Sequence, residues 1–255
     1  MSKLFNFRDI GELGIKVQNG KAIKSNKLLR AAELLELTQQ DIDLLKSKNL
    51  EIIIDLRRQW EIELAPNAKI DVVKQINIDM MGSKPRRAIN GIKDWINSLT
   101  PQKADQHMMD IYPGYVEFED CRAAKAEVIR ACINTKGKGA VLFHCHAGKD
   151  RTGFVAAMLL KLLGAKNEDI FTDYLISKQD CENRWTDRLA GFIGAGYNDD
   201  QINAQKIIYN VRKDYLQLAF DAISRHFGTF DCYIEKGLGI SQDEIAALKQ
   251  NFIEL

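Results

Sequence analysis

The residues that could do chemistry are concentrated in one stretch. Positions 141–153 read Val-Leu-Phe-His144-Cys145-His146-Ala147-Gly148-Lys149-Asp150-Arg151-Thr152-Gly153. A cysteine followed six residues later by an arginine says little alone. His144 before it, Gly148 within it and Thr152-Gly153 after it make the pattern specific, and none of the other four cysteines has arginine at that offset. These residue types supply nucleophilic attack by a thiolate on a tetrahedral anion. A helix N-terminus and a nearby cation favour the thiolate form of a cysteine. The five residues between Cys145 and Arg151 can wrap into a loop with its N–H groups turned inward. Such a nest holds a dianion, and the dipole of the following helix reinforces it. Gly148 permits backbone geometry that a side chain would block. Arg151 closes the ring with a planar fork able to grip two phosphate oxygens, and the Thr152 hydroxyl can bond the sulfur. The implied reaction is in-line attack on phosphorus, then a phosphocysteine, then its hydrolysis.

His146, Ala147, Gly148, Lys149 and Thr152 are assigned to binding the phosphate, with Cys145, Arg151 and Asp150 as the catalytic set. The leaving oxygen needs a proton. Asp150 in the loop is the first candidate to give it, and Asp79, after the strand expected at 72–78, is the second. His144 reads as a group that orients the Cys145 backbone, not as a base. Four histidines, with no second cluster beside His144 and His146, do not make a zinc site. Neither a metal nor an organic cofactor is expected. A phosphate or sulfate ion should sit in the loop.

A strand must enter this loop and a helix must leave it. The run at 140–143 is short, apolar and preceded by Lys136-Gly137-Lys138-Gly139, which favours a buried strand. The helix from about 151 to 163 is apolar nearly all round and therefore central. Ile52-Ile53-Ile54 gives another buried strand. Residues 82–105 read as a long loop with one helical turn around Trp95, and 115–133 as a helix. Asn19-Gly20 signals a hairpin over 14–23. Thr38 with Asp41 and Ser241 with Glu244 mark helix starts. The segments 170–177, 214–226 and 241–252 are helical. Strands alternating with helices predict an α/β fold, a central mostly parallel or mixed sheet flanked by helices with a helical C-terminal part. Arg57 and Glu61 are spaced for an i,i+4 pair if a helix runs there; together with Arg8 and Asp9 they read as structural salt bridges.

The 255 residues, 45% of them hydrophobic, suit one domain over 1–255. A net charge of +1 gives no basic field for nucleic acid. Five cysteines are too few, and odd in number, for a disulfide framework, so a reducing, cytoplasmic setting is the default, with signal-independent export left open. The start of the chain has no apolar leader-like run, and no transmembrane segment is expected.

The run Cys145-His-Ala-Gly-Lys-Asp-Arg-Thr-Gly153 resembles the signature of the cysteine-dependent protein tyrosine phosphatase superfamily, in the form carried by its bacterial atypical tyrosine and lipid phosphatase branch. Asn6-Phe7-Arg8-Asp9-Ile10-Gly11, Leu29-Arg30-Ala31-Ala32-Glu33-Leu34 and Ile54-Asp55-Leu56-Arg57 with Glu61 and Pro66 are similar to further blocks of that branch, as is 215–239. The match is poorest over 80–110 and 180–212. His146 fills a variable position, and Ala31-Ala32 stands where serine is more usual. The resemblance implies a tyrosine-phosphatase-like fold and hydrolysis of phosphotyrosine in proteins, often with phosphoserine, phosphothreonine or phosphoinositide activity. Residues 179–212 read as helix, glycine-rich break, helix. They form either a lid over the pocket, as such insertions do in the resembled branch, or the edge of a helical subdomain. Three rivals stay open: a dedicated phosphoinositide or inositol phosphate phosphatase, a rhodanese-type sulfurtransferase, and a phosphate-binding module.

Overall fold

The computed structural model describes residues 2–71, 73–82 and 94–254. Its strands are β1 (Arg8–Asp9), β2 (Leu28–Ala31), β3 (Leu50–Asp55), β4 (Lys74–Asn77) and β5 (Ala140–His144). They form one sheet in the order β1-β2-β5-β3-β4, with β1 antiparallel and the rest parallel. The main helices are α1 (Gln39–Ser47), α2 (Gln59–Leu64), α3 (Pro101–Glu117), α4 (Glu119–Asn134), α5 (Arg151–Leu163), α6 (Asn167–Gly194), α7 (Asp199–Tyr209), α8 (Lys213–Phe227) and α9 (Gln242–Phe252). The expected α/β class with a mixed sheet and a helical C-terminal part is what the chain adopts.

The period-2 alternation of the inner strands divides the core. Leu28, Ile52, Ile54, Val141 and Phe143 join the larger cluster, beneath α5. Leu29, Ala31, Ile53, Ala140 and Leu142 face the other way, where α1 supplies Leu45 and loops supply Leu4, Leu34 and Ile70. In α5 every residue except Arg151 and Lys161 is buried, as its all-round apolar sequence demands. Register then places the chemistry. Ala31 of β2 and Asp55 of β3 both pair with His144 of β5. Three parallel strands therefore end level, and the residues that follow each of them share one edge of the sheet. Open α/β sheets bind their ligands at this carboxyl edge.

Several elements differ from the sequence reading. The helix expected over 115–133 is two helices, broken at Phe118, whose backbone is extended (φ −82°, ψ 131°). The first of them starts at Pro101, inside the segment read as loop. Thr100 caps it by accepting from the Lys103 N–H, and Pro101 takes the first helical position, where a missing N–H costs nothing. Residues 83–93 of that segment lie outside the described residues; the helical turn at Trp95 is present. The hairpin at 14–23 reduces to a tight turn with one antiparallel bridge, Lys16 to Ala22, while Ile23 bridges to Ile253. The helix read at 170–177 continues unbroken to Gly194, so Gly191 and Gly194 of the expected glycine-rich break lie inside it, and the break before α7 is residues 195–198, with Gly196 its one glycine.

Among the described residues no helix is long and apolar enough to cross a membrane. None of the five cysteines is in a disulfide. Burial pushes the Cys132 thiol up to about 12 and that of Cys181 to about 11, which leaves both protonated and inert at neutral pH.

Candidate active site

Cys145 follows the last residue of β5 and is 2% exposed, and Arg151 opens α5. The loop between them is shaped from outside. The His146 carbonyl accepts from the Glu33 N–H at 3.1 Å, the Ala147 carbonyl from Asn6 Nδ2 at 3.1 Å, and the Gly148 carbonyl from Arg30 Nη2 at 2.8 Å. Three successive carbonyls are thus tied outward. The N–H groups of residues 146–150 meet no protein acceptor among the described residues. That division is what an oxyanion nest requires. Gly148 has φ +69°, and a Cβ there would lie 2.6 Å from the Ala31 carbonyl oxygen, so both conformation and space call for glycine.

The ties come from the N-terminal segments because β1 and β2 lie beside β5. Arg30 is fully buried, with Nη1 2.5 Å from Asp173 Oδ2, and Arg8 Nε meets the other Asp173 oxygen at 2.8 Å. Burial and the neighbouring Arg8 push Arg30 down to about 10, so it remains cationic at neutral pH. Burial opposes the charge on Asp173, but the two arginines outweigh it and hold the carboxyl below its ordinary range. Arg8 Nη1 also donates to Asn6 Oδ1 at 2.6 Å, which joins Asn6 to the same cluster.

Arg151 is held from α2. Its Nη1 and Nη2 reach the two oxygens of Glu61 at 2.6 and 2.8 Å. Glu61 Oε2 also accepts from the Arg58 N–H at 2.9 Å, so the carboxylate is fixed to the start of α2. Glu61 occupies two of the five guanidinium donors, leaving three for an oxyanion. Burial raises the Glu61 carboxyl, yet Arg151 outweighs burial and keeps it low. The i,i+4 pairing of Arg57 with Glu61 does not form. Arg57 precedes α2 and bonds Asp55, Asn67 and the Ala65 carbonyl instead. Replacing Glu61 by glutamine is expected to lower kcat/KM about tenfold, the size of one charge-assisted hydrogen bond. Steady-state kinetics on an aryl phosphate checks this, and an unchanged kcat/KM refutes the positioning role.

His144 is buried, and burial lowers its pKa, keeping the ring neutral. Nε2 lies 3.1 Å from Asn67 Nδ2, whose other N–H serves Asp55. The ring nitrogen facing Asn67 then accepts, and Nδ1–H points to the Cys145 carbonyl at 3.3 Å. This matches the orienting role read for His144. The His146 ring turns to Glu33, 2.6 Å from Nδ1 to Oε2. Lys149 is buried, with Nζ 2.8 Å from Asp150 Oδ1 and 3.1 Å from the Asn210 carbonyl beyond α7. Its ammonium is therefore engaged with the wall behind the loop. Thr152 is buried with no partner for its hydroxyl among the described residues, so the expected bond to sulfur is not formed. Asp150 keeps part of its side chain exposed, and Tyr112 donates to its Oδ1 at 2.6 Å. Asp79 instead folds back on its own turn, accepting from the Met81 N–H at 2.8 Å.

The α6–α7 hairpin reaches the loop at two points. Asn210 takes Lys149, and Cys181, Arg184, Arg188 and Tyr209 line a small gap with Asn6 and Ala147. Asn6, Arg30, Glu33 and Asp173 hold the loop, and the sequence reading assigned none of them a role. The blocks containing the first three carry part of the family resemblance; nothing in the sequence pairs Asp173 with them.

Comparison with known proteins gives the family. A family model described as the tyrosine phosphatase family matches residues 1–254. A putative tyrosine-protein phosphatase of Cupriavidus necator is 28% identical over 252 residues, 97% of this chain and 85% of that one. A tyrosine-protein phosphatase of Nostoc commune is 30% identical over 239 residues, 89% of this chain and 74% of its own length. The triple specificity protein phosphatase PtpB of Mycobacterium tuberculosis is 23% identical over 274 residues, 96% of this chain and 95% of that one.

Proposed function

This chain belongs to the tyrosine phosphatase family, and from that premise we propose that it hydrolyses phosphomonoesters through a phosphocysteine on Cys145, with phosphotyrosine in proteins as its main substrate. The observation that carries the reading is the loop itself: three carbonyls tied outward, the amides of 146–150 left without a protein acceptor among the described residues, and Arg151 clamped by Glu61 beside a buried cysteine.

The phosphate's equatorial oxygens lie on the amides of His146, Ala147, Gly148, Lys149 and Asp150 and on the free edge of Arg151, where negative charge is stabilised. Cys145 attacks in line, and the ester oxygen leaves opposite it. Asp150 protonates that oxygen. It then takes a proton from the water that hydrolyses the phosphocysteine, so the enzyme returns to its starting state. Thr152, whose buried hydroxyl has no hydrogen-bond partner among the described residues, is the donor left to meet the thiolate as it leaves phosphorus. Lys149 supports Asp150 rather than gripping the phosphate. Activity on phosphoserine, phosphothreonine and phosphoinositides is the broader range. The relative named for triple specificity supports that breadth.

Phosphate release should be measured from a phosphotyrosine peptide, a phosphoserine peptide and a phosphoinositide, with and without EDTA. The expected order is phosphotyrosine first, the other two slower, and no effect of the chelator. A phosphoinositide turned over faster than the peptides would move the assignment to a lipid phosphatase. No release from any of them, with thiosulfate turned over instead, would overturn it in favour of sulfur transfer.

A further inference from the structure

Tyr112 of α3 and Tyr174 of α6 are buried and meet behind the catalytic loop. The Tyr112 hydroxyl lies 2.6 Å from Asp150 Oδ1 and 2.5 Å from the Tyr174 hydroxyl. Lys149 Nζ lies 2.8 Å from the same Oδ1. Each phenol has one proton. With Asp150 ionised, Tyr112 donates to the carboxylate, so Tyr174 must be the donor to Tyr112. Oδ1 is then taken by two donors, an ammonium and a phenol. Oδ2 has no hydrogen-bond partner among the described residues.

We propose that Tyr112, backed by Tyr174, is a positioning residue that fixes Oδ1 of Asp150, so that Oδ2 is the oxygen that carries the catalytic proton. Oδ2–H gives its proton to the ester oxygen as the P–O bond breaks. The resulting carboxylate takes one proton from the water whose oxygen attacks the phosphocysteine, and Oδ2–H is restored. The assignment rests on Asp150 being the proton-transfer group, as proposed above.

Packing immobilises the relay. The Tyr112 ring stacks on Tyr215 of α8 at 5.6 Å and meets Tyr115 and Tyr174 edge-on at 5.5 and 6.3 Å. Among the described residues, the groups that act on Asp150 are Lys149 on its own loop, Tyr112 and Tyr115 from α3, and Tyr174 and Cys181 from α6. Burial, then the charge of Asp150, holds the Tyr112 and Tyr174 phenols well above their ordinary range. Both therefore stay protonated across any assay pH, and neither is itself the group that titrates.

The test compares Tyr112→Phe, Tyr174→Phe and Asp150→Asn in the full chain on aryl phosphates whose leaving groups increase in basicity. Phenylalanine keeps the ring and its packing and removes only the oxygen. Asp150→Asn is expected to lose most on the most basic leaving group. Tyr112→Phe should show the same signature at smaller size: kcat about tenfold lower on the most basic leaving group, nearly unchanged on the most acidic one, and KM unchanged. Tyr174→Phe should act in the same direction, more weakly. A Tyr112→Phe enzyme that loses rate equally on all leaving groups, or whose loss appears in KM, overturns the positioning role while Asp150→Asn stays selective. An Asp150→Asn enzyme with no leaving-group selectivity overturns the Asp150 assignment first, and the relay with it.

Discussion

Replacing Cys145 by serine is expected to reduce phosphate release by about 10⁴-fold or more, the scale on which removal of a nucleophile acts, while leaving phosphate binding intact. A serine hydroxyl at neutral pH is almost wholly protonated, and among the described residues no side chain is hydrogen-bonded to the Cys145 sulfur to take its proton. His144 turns Nδ1 to the Cys145 carbonyl and Nε2 to Asn67, so the ring does not serve as base. The binding half of the site does not depend on sulfur. The loop's carbonyls are held by Asn6, Arg30 and Glu33, and Arg151 by Glu61. Kinetics should therefore collapse while titration with inorganic phosphate changes little. Residual turnover above about one per cent of wild type would assign the nucleophile elsewhere. Loss of phosphate binding along with turnover would show that the sulfur helps shape the loop, contrary to the separation argued from these contacts.

That separation explains which parts of the site were legible in the sequence. The nucleophile, the nest and the closing arginine are consecutive residues between a strand and a helix, so local pattern alone locates them. The outer residues are not local. Arg30 reaches the Gly148 carbonyl because β2 lies parallel to β5 with Ala31 opposite His144, and no periodicity within 28–31 encodes that register. Glu61 looked like a partner for Arg57 because their spacing fits a helix. The helix begins at Gln59, and Glu61 faces the loop instead. Tyr112 was hidden for another reason. Residues 82–105, with Pro101 among them, read as a loop and the next helix as starting at 115, yet Pro101 occupies a helix start, Pro113 is accommodated within α3, and the chain between them is helical. Family resemblance supplied the blocks around Arg8, Arg30 and Glu33 without their purpose, which only the pairing of β1 with β2, and of β2 with β5, makes physical.

The largest expected effect on stability follows from the same contacts. Asp173 is buried between Arg8 and Arg30, 2.8 and 2.5 Å away, and serves both cations. Asn at 173 would keep the shape but leave two largely buried guanidinium groups without an anion. Breaking a buried ion pair from one side costs about 3–5 kcal/mol, and urea denaturation should show that loss. The folded carboxyl is held below its ordinary value, so the stabilisation is present above the unfolded aspartate pKa and is lost as pH falls through the lower, folded one. Wild type and variant should therefore differ fully near neutrality and converge in strong acid. Catalysis should fall as well, because Arg30 is the donor that turns the Gly148 carbonyl outward. The signature is weaker inorganic phosphate binding by folded variant protein, measured well below its unfolding midpoint. A variant less than about 1 kcal/mol weaker than wild type would mean that the arginines find other partners, and that the loop's outward ties do not depend on this aspartate.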